Sequence, residues 1–379
     1  MNRPTRDDGT WSRREALGLL GIGAAMATTA CASDSDVSDS AMPSSGQSPP
    51  ALAVPEGAIV RAVLGDLSPE SLRHGALLFH EHMSLDLGFW DRLLGSDNEA
   101  RAGFVGAPDG PYFMQDAETM AAELQTALQD GVSLLVDGGH ADMGRSVAFL
   151  QEVSERSGLP IVASGGYYTD PFHPDELDEL TEDQIAEMLA QTADTERWGA
   201  FGEIASSAEI TAGERKVFRA VARAHLATGL PIFTHTANGA AALEQLDIFE
   251  SLGVSPDRVA IGHMGGLEDP DVTVHRTIAS RGASVGFDRL GGGDQADAYK
   301  VPMVRALIDA GYLERVLLAS DFSRASDTRR NGGPGYAKTV TRFVPMLRAA
   351  GATDAEVTTL VTDNPLRFLA FVPDTSSFV

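Results

Sequence analysis

The stretch Leu77-Leu78-Phe79-His80-Glu81-His82-Met83 decides how the chain reads. It is an apolar run of strand type that ends in two histidines two residues apart. In an extended strand successive side chains point to opposite faces, so His80 and His82 share one. Two neutral imidazoles held on one face are pre-ordered for a cation. With nine histidines among 379 residues an isolated H-x-H is also an ordinary accident, so the rest of the chain has to decide between the two.

From residue 57 onward a unit recurs: a short β-type run, a small or polar cluster, then a helical pattern. The runs are residues 77–83, 132–139, 160–167, 200–205, 231–236, 259–264, 283–288 and 316–321. A typical helical stretch is 213–229, with Phe218, Val221, Ala222 and Leu226 expected on one face and Gly229 as its stop. Strand alternating with helix implies parallel pairing through right-handed crossovers. Eight such units predict an α/β fold, a (β/α)8 TIM barrel over residues 57–379. The rival is an open doubly wound sheet, but the chain has neither a glycine-rich dinucleotide fingerprint nor a P-loop.

A barrel places its chemistry at the C-terminal ends of the strands. His80 and His82 close the first run, Glu203 lies in the fourth, His235 closes the fifth, His263 the sixth and Asp321 the eighth. Four imidazoles and two carboxylates on one rim suit zinc, manganese, cobalt or iron, and six ligands exceed what one tetrahedral ion takes. Two divalent transition ions about 3.5–4 Å apart, bridged by a carboxylate and a hydroxide, use them all. Zinc is the first expectation. Such a centre activates water for hydrolysis of an ester-like bond, with Asp321 placed to carry the proton.

Composition narrows the partners. The formal charge of -25 argues against nucleic acid, whose binding depends on Lys and Arg neutralising phosphates. It favours neutral small molecules over highly anionic ones, although a local site overrides a global field.

The chain resembles the phosphotriesterase-like branch of the amidohydrolase superfamily from about Gly57 to Phe371. Its H-x-H matches His80 and His82, and its later metal ligands match His235, His263 and Asp321. Supporting stretches are Thr-His-Thr at 234–236, Leu-Glu-Gln at 243–245, Ile-Gly-His-Met-Gly at 261–265, Gly-Phe-Asp-Arg at 286–289 and Asn364-Pro365. Where most members carry a carboxylated lysine, this chain has Glu203, which offers the same charge and two oxygens on a shorter arm. By resemblance to members that open lactones, Tyr167 and Arg289 line the pocket, the phenol bonding a carbonyl oxygen and the guanidinium orienting the released carboxylate. The substrate expected is a lactone or carboxylic ester, with a phosphotriester as the alternative. A catalytically silent surface-tethered binding protein is the rival of another class. The resemblance also implies a homodimer.

Loops after the strands set specificity. The longest are 88–111, 168–179 and 323–335, and the last carries Arg324, Arg329 and Arg330. An arginine-rich lid would favour an acidic substrate; a solvated loop is the plainer expectation.

Before the barrel lies an address. Arg13-Arg14 precede a Gly/Ala-rich apolar segment, a layout that resembles a twin-arginine export signal over residues 1–31. Cys31, the single cysteine, follows Thr28-Thr29-Ala30 as in a bacterial lipobox, so a lipid anchor is expected there. Residues 32–56 are rich in Ser, Asp, Pro, Gly and Ala and read as a flexible linker. The expected location is the outer face of the cytoplasmic membrane, or the secreted fraction.

Overall fold

The computed structural model describes residues 53–96, 99–106 and 111–373. The export signal, Cys31 and most of the linker lie outside the described residues. Eight parallel strands follow one another around the sheet in chain order: β1 (Ala76–Glu81), β2 (Val132–Asp137), β3 (Ile161–Gly165), β4 (Trp198–Ala205), β5 (Ile232–His235), β6 (Val259–Ile261), β7 (Ser284–Phe287) and β8 (Val316–Leu318). Each corresponds to one expected run. The sequential order excludes the doubly wound alternative, whose strand order reverses partway. The cylinder closes just past the ends of β1 and β8, where Asp321 N donates to His80 O at 3.1 Å and His82 N to Phe322 O at 3.0 Å.

The helices begin and end where local chemistry dictates. Ala212–Thr228 starts in a capping box, Thr211 and Glu214 satisfying each other's backbone donors, and stops at Gly229 with φ 73°. One detail of its expected face is corrected. Leu226 is 55% exposed, and His225 takes the inward position instead. The seam runs 218, 221, 222, 225, the i, i+3, i+4, i+7 spacing of a helical face, and 226 falls one step beyond it.

A short hairpin that the sequence did not announce, Val60–Ala62 paired with Gly65–Leu67, covers the opposite end of the barrel. Val63 N donates to Ile161 O at 2.9 Å, and a Cβ on Gly199 would lie 2.5 Å from Arg61 O. These contacts are to the first residues of β3 and β4. Val60 and Leu72 from this segment, with Leu366 and Phe368 from helix Asn364–Leu369, plug the floor beneath an interior stack that includes Leu77, Phe79 and Phe233. Ile59 pairs with Phe371, so the chain enters and leaves the barrel at this floor. No described helix is long and apolar enough to cross a membrane.

Candidate metal centre

Simple alternation does not by itself aim the ligands inward. Phe79 belongs to the interior stack, so an unbroken strand would turn His80 toward the helices. A register shift between Leu78 and Glu81 resets the face, and both His80 and His82 point into the barrel. A second shift, between Phe201 and Ile204, does the same for Glu203. There the backbone runs so close to Phe233 that a Cβ on Gly202 would sit 2.3 Å from the ring. His263 and Asp321 are delivered by turns, at φ 57° and 48°, a left-handed conformation unusual for residues with side chains.

All six expected ligands converge. Glu203 Oε1 lies 3.3 Å from His82 Nε2, while Oε2 lies 3.2 Å from His80 Nε2, 2.8 Å from His235 Nδ1 and 3.4 Å from His263 Nε2. Asp321 Oδ1 is 3.1 Å from His82 Nε2, and Oδ2 is 3.9 Å from His263 Nε2. His80, His82 and Glu203 form one group able to hold an ion, and Glu203, His235 and His263 another. Glu203 is the member these two share, and His80, His263 and Asp288 form a third such group.

The fit to cations rests on these donors themselves. His80 Nε2 is fully buried with no hydrogen-bond partner, an unfavourable state for a polar atom unless something electrophilic meets it. The electrostatics agree. Burial would lower His82, yet Asp321 and Glu203 push it up to about 9. Burial would raise Glu203, yet His80 and His235 hold it well below the usual carboxylate range. Burial and the charge of His263 lower His235 to about 4. The carboxylates thus favour positive charge beside them at His82, while His235 stays neutral and keeps a lone pair to offer.

Three residues outside the expected set support the ligands. Asp288 places Oδ2 2.8 Å from His80 Nδ1 and Oδ1 2.8 Å from His263 Nδ1, while also accepting from His263 N at 2.8 Å. Each of these imidazoles therefore turns its other nitrogen to the centre. Glu81 faces away from the centre and accepts from Ser320 N at 2.8 Å, Ser320 Oγ at 2.6 Å and Phe322 N at 2.8 Å, gripping the backbone on both sides of Asp321. Burial pushes its carboxyl up to about 7. Gly138 is the third: a Cβ there would lie 2.9 Å from His80 Cδ2 and 3.2 Å from His82 Cε1.

The expected catalytic residues divide. Arg289 lines the pocket, but its Nε bonds Asp321 Oδ2 at 3.0 Å and its Nη1 bonds Asn238 Oδ1 at 3.1 Å. The neighbouring Asp288 does not pair with it, because both of its oxygens meet histidines. Tyr167 is not among the lining residues; its ring packs edge-on to His173 at 6.0 Å. Its neighbour Tyr168 lines the pocket, edge-on to His235 at 5.0 Å. The two tyrosines are adjacent after Ser164-Gly165-Gly166, and the one that lines the pocket is the neighbour of the expected residue. Leu85, Phe89, Trp90 and Met143 complete the wall opposite the ligands.

Residues 59–369 match the model of the Phosphotriesterase family. The chain is 33% identical over 302 residues to the phosphotriesterase homology protein of Escherichia coli (strain K12), an alignment spanning 78% of this chain and 97% of that protein. It is 25% identical over 353 residues to the N-acetyltaurine hydrolase of Danio rerio, spanning 82% of this chain and 98% of that one. Among solved structures, a resiniferatoxin-binding protein from Rhodobacter sphaeroides superposes with a TM-score of 0.73 at 30% identity, covering 84% of this chain and 96% of that chain.

Proposed function

Since the chain belongs to the phosphotriesterase family and is a metal-dependent hydrolase, we propose that it cleaves the acyl bond of a lactone or carboxylic ester with two divalent transition ions, zinc foremost. One observation carries the reading: the pocket is split between the ligand cluster around Glu203 and an apolar wall of Leu85, Phe89, Trp90 and Met143. That wall suits the uncharged organic portion of an ester substrate, and a lactone ring or acyl chain supplies it in one compact piece.

His80, His82 and Glu203 would hold one ion, His235, His263 and Glu203 the other, with Asp321 completing the set. Divalent cations bound there acidify water and polarise a carbonyl oxygen. The remaining work belongs to the chain. Asp321 accepts the proton of the attacking water and passes it to the leaving oxygen, while Arg289 and Asn238 fix its orientation. The Tyr168 phenol, held well above its ordinary value by burial and by Glu203, stays protonated and donates a hydrogen bond to the substrate. The apolar wall excludes competing water.

A screen of the metal-loaded enzyme against lactones, aryl esters and phosphotriesters, ranked by kcat/KM, tests this. Phosphotriesters at the head of the ranking overturn the acyl reading. Metal analysis should find about two transition ions per chain.

The reading extends to location. Arg13-Arg14 and Cys31 support export and lipid attachment of the N-terminus. Labelling with a palmitate analogue should mark the wild type and not Cys31→Ser; equal labelling, or none in either, rejects the anchor.

A further inference from the structure

Most arginines of this acidic chain rest on carboxylates. In the 323–335 loop, Arg329 pairs with Asp130 at 2.7 Å and Arg330 meets Asp116 at 3.8 Å, so both lie along helix Ala117–Gln129 and away from the pocket. Arg289 is committed to Asp321 and Asn238. Arg324 differs. Among the described residues its guanidinium has no ion pair within 4.0 Å and no hydrogen bond. Asp327, three residues on, is paired with Lys338 at 2.7 Å.

What holds Arg324 is a ring. Its guanidinium carbon sits 4.4 Å from the centre of Phe104, a cation–π contact that fixes the group without using its N–H donors. Phe104 packs on Trp90 with centroids 4.4 Å apart. Trp90 lines the pocket, as does Ser323, the residue before Arg324. Burial lowers Arg324, and its charge interacts first with that of Asp327, which Lys338 already pairs, and then with those of Asp321 and Arg289. The side chain is only partly exposed, so it is not an ordinary solvated surface cation.

We propose that Arg324 is a specificity-determining residue that receives a singly charged oxyanion, a carboxylate or sulfonate, at the far end of the acyl substrate. The proposal rests on the acyl-hydrolase reading of the same site and narrows it to compounds with an anionic tail. An oriented guanidinium with free donors forms charge-assisted, two-pronged bonds to such a group. A chain with net charge -25 repels anions at long range, so a local cation whose donors no carboxylate has taken is what admits one.

The test compares matched aryl esters whose acyl chains end in a carboxylate, a sulfonate or a methyl group, on metal-loaded wild type, Arg324→Gln, Arg324→Lys and Arg330→Gln. The wild type should prefer an anionic tail by roughly 10- to 100-fold in kcat/KM. That ratio should collapse toward one in Arg324→Gln, mostly through KM, and recover in part in Arg324→Lys. Arg330→Gln should keep it, which separates one placed guanidinium from general loop charge. No preference in the wild type, or a ratio unaltered in Arg324→Gln, overturns the proposal. A binding arm is independent of turnover: calorimetric titration of the same proteins with glutarate and with propanesulfonate. Binding by the wild type that weakens at least 10-fold in Arg324→Gln supports the anion site even if no ester is hydrolysed. In that case only the acyl reading falls. Equal affinity in both proteins, or none in the wild type, sinks the anion site whatever the esterase result.

Discussion

Asp288 and His80 lie 208 residues apart in the chain and 2.8 Å apart in space, carboxylate to Nδ1. The other oxygen of Asp288 makes the same approach to His263. One carboxylate thus sets the ring orientation of a histidine in each of the two groups built around Glu203, and with those two imidazoles it forms a third group able to hold an ion. Replacing it leaves both imidazoles free to rotate. Asp288→Ala should weaken metal retention by about 10- to 100-fold, seen as metal lost to a chelator at concentrations the wild type resists. Retention equal to wild type would mean that the ligands orient themselves.

Gly138 offers a second test, made by addition. A methyl group there would meet His80 and His82 at 2.9 Å and 3.2 Å. Gly138 O also accepts from Glu203 N at 3.0 Å, which leaves its own backbone little room to retreat. Gly138→Ala should therefore lower metal content and kcat/KM while the barrel still melts cooperatively. A fully active, fully loaded variant contradicts the crowding.

The two tyrosines make a paired comparison. Tyr168→Phe removes a buried phenol beside His235 and should lower kcat/KM by about 10-fold, the effect of losing one hydrogen bond to a polar reacting group. Tyr167→Phe removes a hydroxyl outside the pocket and should change kcat/KM less than about twofold. The reverse ranking would restore the expectation from family resemblance.

His225 gives a prediction about pH and stability, remote from the centre. Burial holds its imidazole below the ordinary value, although its Nδ1 lies 2.6 Å from Leu230 O. Because the unfolded chain takes up the proton more readily, stability is present above about pH 6.5 and is lost as pH falls toward the folded-state value. The drop in melting temperature between pH 7.5 and pH 5.5 should be smaller in His225→Asn than in the wild type. An identical drop assigns the acid sensitivity elsewhere.

The barrel and the convergence of six candidate ligands were legible because both depend on local patterns. Each strand is a short apolar run, and each candidate is a histidine or carboxylate at or near a strand's end. What stayed hidden depends on register and on distance. The bulges that turn His80 and Glu203 inward leave no mark in composition, and neither does the choice of Tyr168 over Tyr167. Asp288 and Glu81 read as ordinary acids until the closed cylinder brings them to His80 and to Ser320. The hairpin at Val60–Leu67 is too short and too polar to announce itself, and its role shows only in the floor it covers.

That floor fixes a direction. The polypeptide enters beside Phe371, while His80 and its companions stand at the other rim. A tether on the leader side would therefore join the molecule at the end remote from its opening, and the linker of residues 32–56 would leave that opening free to meet substrate from the aqueous phase.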